Sequence, residues 1–383
     1  MNFFSRTALR ATLLLLSLSL CCGSAMSNTA TALRKAPYLV FPGDPTTMQV
    51  LWQAPMTGLS TIEWGLDSDY TLGSEKTTEF GNNHQHTFII TDLIPGTMYF
   101  YRVEFEGTPY PGSFRAAPTP ETQRVKFIAY GDTRTEPAAH DKVAGQILQT
   151  IEADPEFQSL MVFVGDLSSD GDSEEVFDNE FFSSEYSNIR QLMARIPYQS
   201  CMGNHEDSGV LFMKYFPYPF VGSRYWSFDY GPVHFVIVDQ YENYSPGSEQ
   251  YAWIQSDLEA TTQPWRIVIL HAPGWSAGGG HRNKKPVQQY LQPLFVEHGV
   301  SLVFGGHNHY YARAIVDGVQ HLTTGGGGAP LYTPEPGSEN IVVISKSYHF
   351  CRITIEGGHL EFEAVSGNEI IDAFTLESHP EGD

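Results

Sequence analysis

Five apolar runs in this sequence each hand over to a polar side chain able to bind a metal ion. Phe127-Ile128-Ala129-Tyr130 leads into Gly131-Asp132, and Met161-Val162-Phe163-Val164 into Gly165-Asp166. Ser200-Cys201-Met202 leads into Gly203-Asn204-His205-Glu206, and Ile267-Val268-Ile269-Leu270 into His271. Leu302-Val303-Phe304 leads into Gly305-Gly306-His307-Asn308-His309. The endings supply two carboxylates (Asp132, Asp166), one amide oxygen (Asn204) and three imidazoles (His271, His307, His309). That mixture suits zinc or first-row transition ions better than calcium, which takes oxygens alone. One shared carboxylate can bridge two ions, and such pairs suit phosphoryl or acyl hydrolysis. A single Gly-Asp is an ordinary turn, and a single His-x-His is ordinary strand alternation. Five such endings in one stretch of chain are not expected by chance.

The elements that must position these groups follow from the pattern around them. Short apolar runs at 125–130, 160–164, 198–202, 234–238, 267–270 and 302–304 alternate with helix-like stretches at 138–153, 174–194, 248–259 and 286–298. That alternation predicts an α/β domain, and in open α/β sheets sites form at the carboxyl ends of the strands. Before it, residues 34–118 read as short alternating strands with turn residues between them, an all-β sandwich. Residues 116–122 are a Pro-rich linker, and the last stretch, 348–376, returns to strand alternation around Gly357-Gly358.

The ordered set Gly-Asp, Gly-Asp, Gly-Asn-His-Glu, a strand-ending His and Gly-His-x-His resembles the calcineurin-like metallophosphoesterases. The sandwich in front, with its Leu93-Ile94-Pro95-Gly96-Thr97-Met98-Tyr99 turn, resembles a fibronectin type III domain, and the pair is similar to the purple acid phosphatases and their bacterial relatives. The resemblance implies an α/β metallophosphatase sandwich at 123–377 behind a fibronectin type III-like domain at 34–118. It implies two metal ions, zinc, manganese or iron. Asp132 and His309 would bind the first, Asp166 would bridge, and Asn204, His271 and His307 would complete the second. His205 would stand beside the ions and protonate the leaving group, and His281 would contact substrate.

Two positions depart from the family. The purple enzymes have a tyrosine ligand in a Gly-Asp-x-x-Tyr block, where this chain has Ser169; other metallophosphoesterases have Asp-x-His at the first block, where this chain has Arg134. The fourth protein ligand of the first ion is therefore missing, with water, His140 or Asp170 as replacements, and a colourless protein is expected. Arg134 is expected to fork onto phosphate oxygens.

The expected function is a metal-dependent phosphoric ester hydrolase, acid phosphatase-like and acting on monoesters, in which an activated hydroxide attacks phosphorus in line. A phosphodiesterase on the same site, or a relic metal domain serving binding or adhesion, are the alternatives. Acidic residues outnumber basic ones 44 to 22, for a net charge of −22, so duplex nucleic acid is not an expected partner. Apolar residues make up 41% of the chain, enough for a sizeable core. Arg6 and Arg10 before an apolar run ending at Cys22 read as a secretory leader over residues 1–25, too short to span a membrane. A secreted or periplasmic protein is expected, with lipid anchoring at Cys21 or Cys22 the weaker reading. Cys201 and Cys351 either pair or pack as small apolar groups. Gly325-Gly326-Gly327-Gly328 lacks the features of a P-loop and is expected as a flexible loop at the site mouth. Tyr310 and Tyr311 either wall the pocket or pack under the sheet.

Overall fold

The computed structural model describes residues 32–378; the leader expected over 1–25 lies outside them. Two β-sheets form the body that follows the linker. Three strands of the first, Arg124–Tyr130, Met161–Phe163 and Tyr198–Ser200, run parallel, and Phe350–Glu356, His359–Ser366 and Glu369–Glu377 extend that sheet antiparallel. The second has Val233–Ile237, Trp265–Ile269, Leu302–Gly305 and Val319–Thr324 in parallel, with antiparallel strands at both edges. The parallel strands are buried on both faces, which is why they read as unbroken apolar runs. The sheets pack through Phe127 on Phe235, whose rings lie edge to face at 5.4 Å. All five expected metal-site blocks leave from strands of these two sheets.

In front lies a sandwich of a three-stranded sheet (Lys35–Val40, Met48–Gln53, Gln85–Ile90) and a four-stranded one (Ser60–Gly65, Gly73–Thr77, Met98–Phe105, Thr108–Arg115). Its core holds Trp52, Ile62, Val103 and Phe114. The first strand is shared: Leu39 packs into this core, while Tyr38 and Val40, on its other face, join the large core of the α/β body.

Two helices differ from expectation. The stretch 174–194 is not one helix but two, Glu174–Asn179 and Ser187–Met193. Glu180 ends the first because its carboxylate is drawn to the backbone N–H groups of Thr135 and Ser169, and Phe181 and Phe182 then both turn inward. In 286–298 the Val287–Leu291 turn is π-helical before Gln292–Glu297, since Pro293 has no N–H with which to continue the α-helical ladder. Ser173 and Ser248 cap their helices as N-caps do. Among the described residues no helix is long and apolar enough to cross a membrane.

Cys201 and Cys351 are buried and free, so the disulfide alternative falls. Gly325 to Gly328 are buried rather than forming a flexible mouth: a Cβ at Gly325 would lie 2.9 Å from Asp132 Oδ2 and one at Gly327 2.3 Å from the Gly131 carbonyl. Tyr310 and Tyr311 pack under the sheet and do not wall a pocket, with their hydroxyls spent on the Gly278 carbonyl and on Asp372.

Candidate metal centre

The strand ends converge because the chain reverses sharply at each. Asp132, Asp166 and His307 take left-handed backbone angles, with φ of 55°, 56° and 67°. Asp, Asn and His tolerate this region better than most residues, and such strain gathers at functional sites. Glycine makes the close approaches: a Cβ at Gly306 would stand 2.1 Å from Asp132 Oδ2, and one at Gly203 2.3 Å from Asp166 Oδ1.

Asp132, Asp166 and His309 bring one ligand atom each to within 4.8 Å of one another, all buried. Beside them His271 Nε2 lies 3.1 Å from Asn204 Oδ1 and 3.3 Å from Asp166 Oδ1. His271 is fully buried, and burial holds its pKa down, which favours the neutral ring. Its Nδ1 donates to the Val164 carbonyl at 2.7 Å, which leaves a lone pair on Nε2. That lone pair points at two oxygens. Three electron pairs converge with no hydrogen between them, an arrangement that a cation relieves. The donor set, imidazole nitrogen with carboxylate and amide oxygen, fits zinc, manganese or iron.

The other histidines are fixed by similar means. His309 Nδ1 donates to the Pro330 carbonyl at 2.9 Å, turning Nε2 toward Asp132 Oδ1 at 3.6 Å. Burial lowers the His309 pKa to about 4. His307 gives its backbone N–H to both oxygens of Asp132, at 2.9 and 3.1 Å. Its ring stands edge-on to His271, with centroids 5.0 Å apart. Burial and the Asp166 carboxylate push the Asp132 pKa well up. His205 donates its backbone N–H to Asp166 Oδ1 at 3.0 Å, and its Nδ1 to the Ser169 carbonyl at 2.9 Å, leaving Nε2 free. His281 stacks on His307 with rings 3.7 Å apart. Arg134 reaches inward: Nε is 3.3 Å from Asp166 Oδ2, and Nη2 is 3.3 Å from His309 Nε2.

Thus all nine residues singled out in the sequence share one neighbourhood. His140 and Asp170, the sequence neighbours considered as an extra ligand, are engaged elsewhere. His140 Nε2 meets the Tyr130 hydroxyl at 3.0 Å, and Asp170 accepts the Asp172 N–H. Three participants escaped the sequence reading. Glu206, buried behind the site, accepts backbone N–H groups from Asp166, Leu167 and Gly203. Tyr332 stacks on His309 at 4.2 Å. Glu180 ties Ser169 to Thr135. Only Glu206 had a local signal, as the last residue of its block.

The calcineurin-like phosphoesterase family matches residues 125–311, and the purple acid phosphatase N-terminal domain matches 35–123. Probable purple acid phosphatase 20 of Arabidopsis thaliana is 24% identical over 297 residues, covering 70% of this chain and 66% of its own length. Purple acid phosphatase 23 of the same plant is 28% identical over 270 residues, covering 60% and 57%. The chain thus spans less than two thirds of the length of these two relatives. A purple acid phosphatase from yellow lupin (Lupinus luteus) seeds superimposes with a TM-score of 0.74 at 20% identity, covering 90% of this chain and 74% of that one. That likeness is one of fold.

Proposed function

From a chain that carries a calcineurin-like phosphoesterase domain behind a purple acid phosphatase N-terminal domain, we infer a metal-dependent hydrolase of phosphate esters, acting on monoesters. The observation that carries this reading is the convergence of His271 Nε2 on Asn204 Oδ1 at 3.1 Å and Asp166 Oδ1 at 3.3 Å. Asp166, Asn204, His271 and His307 would hold one ion, and Asp132, Asp166 and His309 frame a second cationic position. A bound ion supplies Lewis-acid polarisation of a phosphoryl oxygen and a lowered pKa for water.

The chain's own residues do the rest. Phosphorus gains a bond to the oxygen of water as its bond to the ester oxygen breaks, in line. His205, held through Nδ1, gives its Nε2 proton to the departing oxygen. The proton lost by the water passes to solvent, from which the imidazole is recharged. Arg134 and His281 would contact the non-bridging phosphoryl oxygens and steady their charge. We extend the reading to an exported protein with a leader at 1–25, a fibronectin type III-like sandwich at 34–118 and a hydrolase domain at 123–377.

The test is hydrolysis of p-nitrophenyl phosphate and bis(p-nitrophenyl) phosphate by protein stripped of metal and resupplied with zinc, manganese or iron singly. Turnover that needs metal and vanishes in Asp166→Asn is expected, faster on the monoester. Faster turnover of the diester would make the protein a phosphodiesterase; none with any metal would favour the binding or adhesion role.

A further inference from the structure

The two cationic positions are not built alike. Around Asp132, Asp166 and His309 the three positions considered from the sequence for a fourth protein donor, Ser169, His140 and Asp170, are engaged elsewhere. The Ser169 hydroxyl donates to Glu180 Oε1 at 2.5 Å. His140 is turned to Tyr130, and Asp170 to the backbone of its own loop.

What approaches instead is a guanidinium. Arg134 directs Nε at Asp166 Oδ2 and Nη2 at His309 Nε2, each at 3.3 Å. Since His309 Nδ1 donates to Pro330, Nε2 offers only a lone pair, the one an ion would take. The arginine is thus spending its protons on the electron pairs of two of the three ligands. Its side chain is largely buried, 14% exposed. Nη1 donates to the Thr135 hydroxyl at 3.2 Å. Thr135 itself sits at φ 75°, a disfavoured angle for a β-branched residue, and its N–H is pinned by Glu180 at 2.8 Å. The same Glu180 carboxylate holds Ser169, so one side chain anchors one departure from the family pattern and the residue next to the other.

We propose that this chain holds one metal ion, framed by Asp166, Asn204 and His271 with the His307 ring beside them, and that the Arg134 guanidinium supplies the charge at the position between Asp166 and His309. This rests on the metal-dependent reading above and narrows it from two ions to one. Guanidinium and ion compete for the same electron pairs, and like charges at this separation repel. A guanidinium is charged at every working pH and needs no metal supply. It has five N–H donors, so it can keep its hold on Asp166 while turning others to a phosphoryl oxygen.

The experiment is metal content. Wild-type chain and Arg134→His would be dialysed against excess manganese, desalted and analysed for metal per chain, with electron paramagnetic resonance of the same samples. The expected result is one ion in the wild type, with the six-line spectrum of isolated manganese, and two in Arg134→His, with the spectrum of a coupled pair. Arg134→Ala, which frees the position without adding a ligand, is expected to gain a second, weaker ion. Two ions in the wild type would overturn the inference and leave the hydrolase reading standing. No ion in any of the three would overturn both.

Discussion

The backbone N–H of Asp166 donates to the Glu206 carboxylate at 3.0 Å, from behind the turn that aims the Asp166 side chain into the site. Leu167 and Gly203 donate to the same carboxylate at 2.7 and 2.5 Å. Burial and the Asp166 charge raise the Glu206 pKa to about 8, and the three donors offset this only in part. Glu206→Gln would set an amide N–H₂ against donors that need an acceptor. Metal affinity is expected to fall about 10–100-fold, as when other outer partners of metal ligands are lost. Competition with a chelator would measure it, and an unchanged affinity would deny Glu206 this positioning role.

His205 is tied at Nδ1 and free at Nε2. If it protonates the leaving group, His205→Ala is expected to slow alkyl phosphates by about 10²–10⁴-fold and p-nitrophenyl phosphate much less, since nitrophenolate leaves without help. Equal losses on both esters would contradict that role.

Lys35 carries its ammonium, with no side-chain exposure, from the sandwich onto Asp178 and Glu174 of the α/β body. It also bonds Gln53 Oε1 at 2.7 Å and lies 4.2 Å from the Tyr215 ring centre. Lys35→Met would leave buried acceptors short of a partner, at a cost of about 3 kcal/mol, the lower end for a broken buried pair because Arg34 and Lys214 remain. Urea denaturation followed by fluorescence would read it. The two bodies are expected to unfold in one transition, because the Lys35–Val40 strand serves both cores.

Buried histidines bound the pH range of stability. Burial pulls the His234 pKa down, but hydrogen bonds to Asp229 and Asp257 outweigh it and raise it to about 9 from 6.5. The stabilisation is therefore complete below pH 6.5 and lost as pH rises through 9. His140 and His321 are the opposite case, burial lowering each to about 3. They stay neutral in the fold, so stability falls as pH drops from 6.5 toward 3. His234→Gln is expected to cost roughly 2–3 kcal/mol at pH 6 and almost nothing at pH 10. Urea midpoints at the two pH values would show it; equal losses at both would mean that the imidazole acts by packing alone.

The residues that converge at the strand ends were legible because their signal is local: an apolar strand, in most cases a glycine, then a polar side chain. Alternation likewise separates the sandwich strands from the buried parallel ones. What the sequence hid depends on groups far apart in the chain. Nothing beside Tyr332 says that it will stack on His309, and nothing beside Glu180 says that it will cap two backbone N–H groups and end a helix there. Gly325 to Gly328 look mobile by composition, yet they are buried because Asp132 and His349 leave no room for a Cβ. Arg134 was read as a phosphate contact; its approach to His309 follows from the bend at Thr135, which composition does not show.

The left-handed turns at Asp132, Asp166 and His307 also bear on how such a protein drifts. Few side chains sit comfortably at those angles, and asparagine is one of them. A change from Asp to Asn there removes a charge and leaves the backbone content. The backbone angle at these turns therefore places less demand on the charge of the side chain than the hydrogen bonds to its oxygens do.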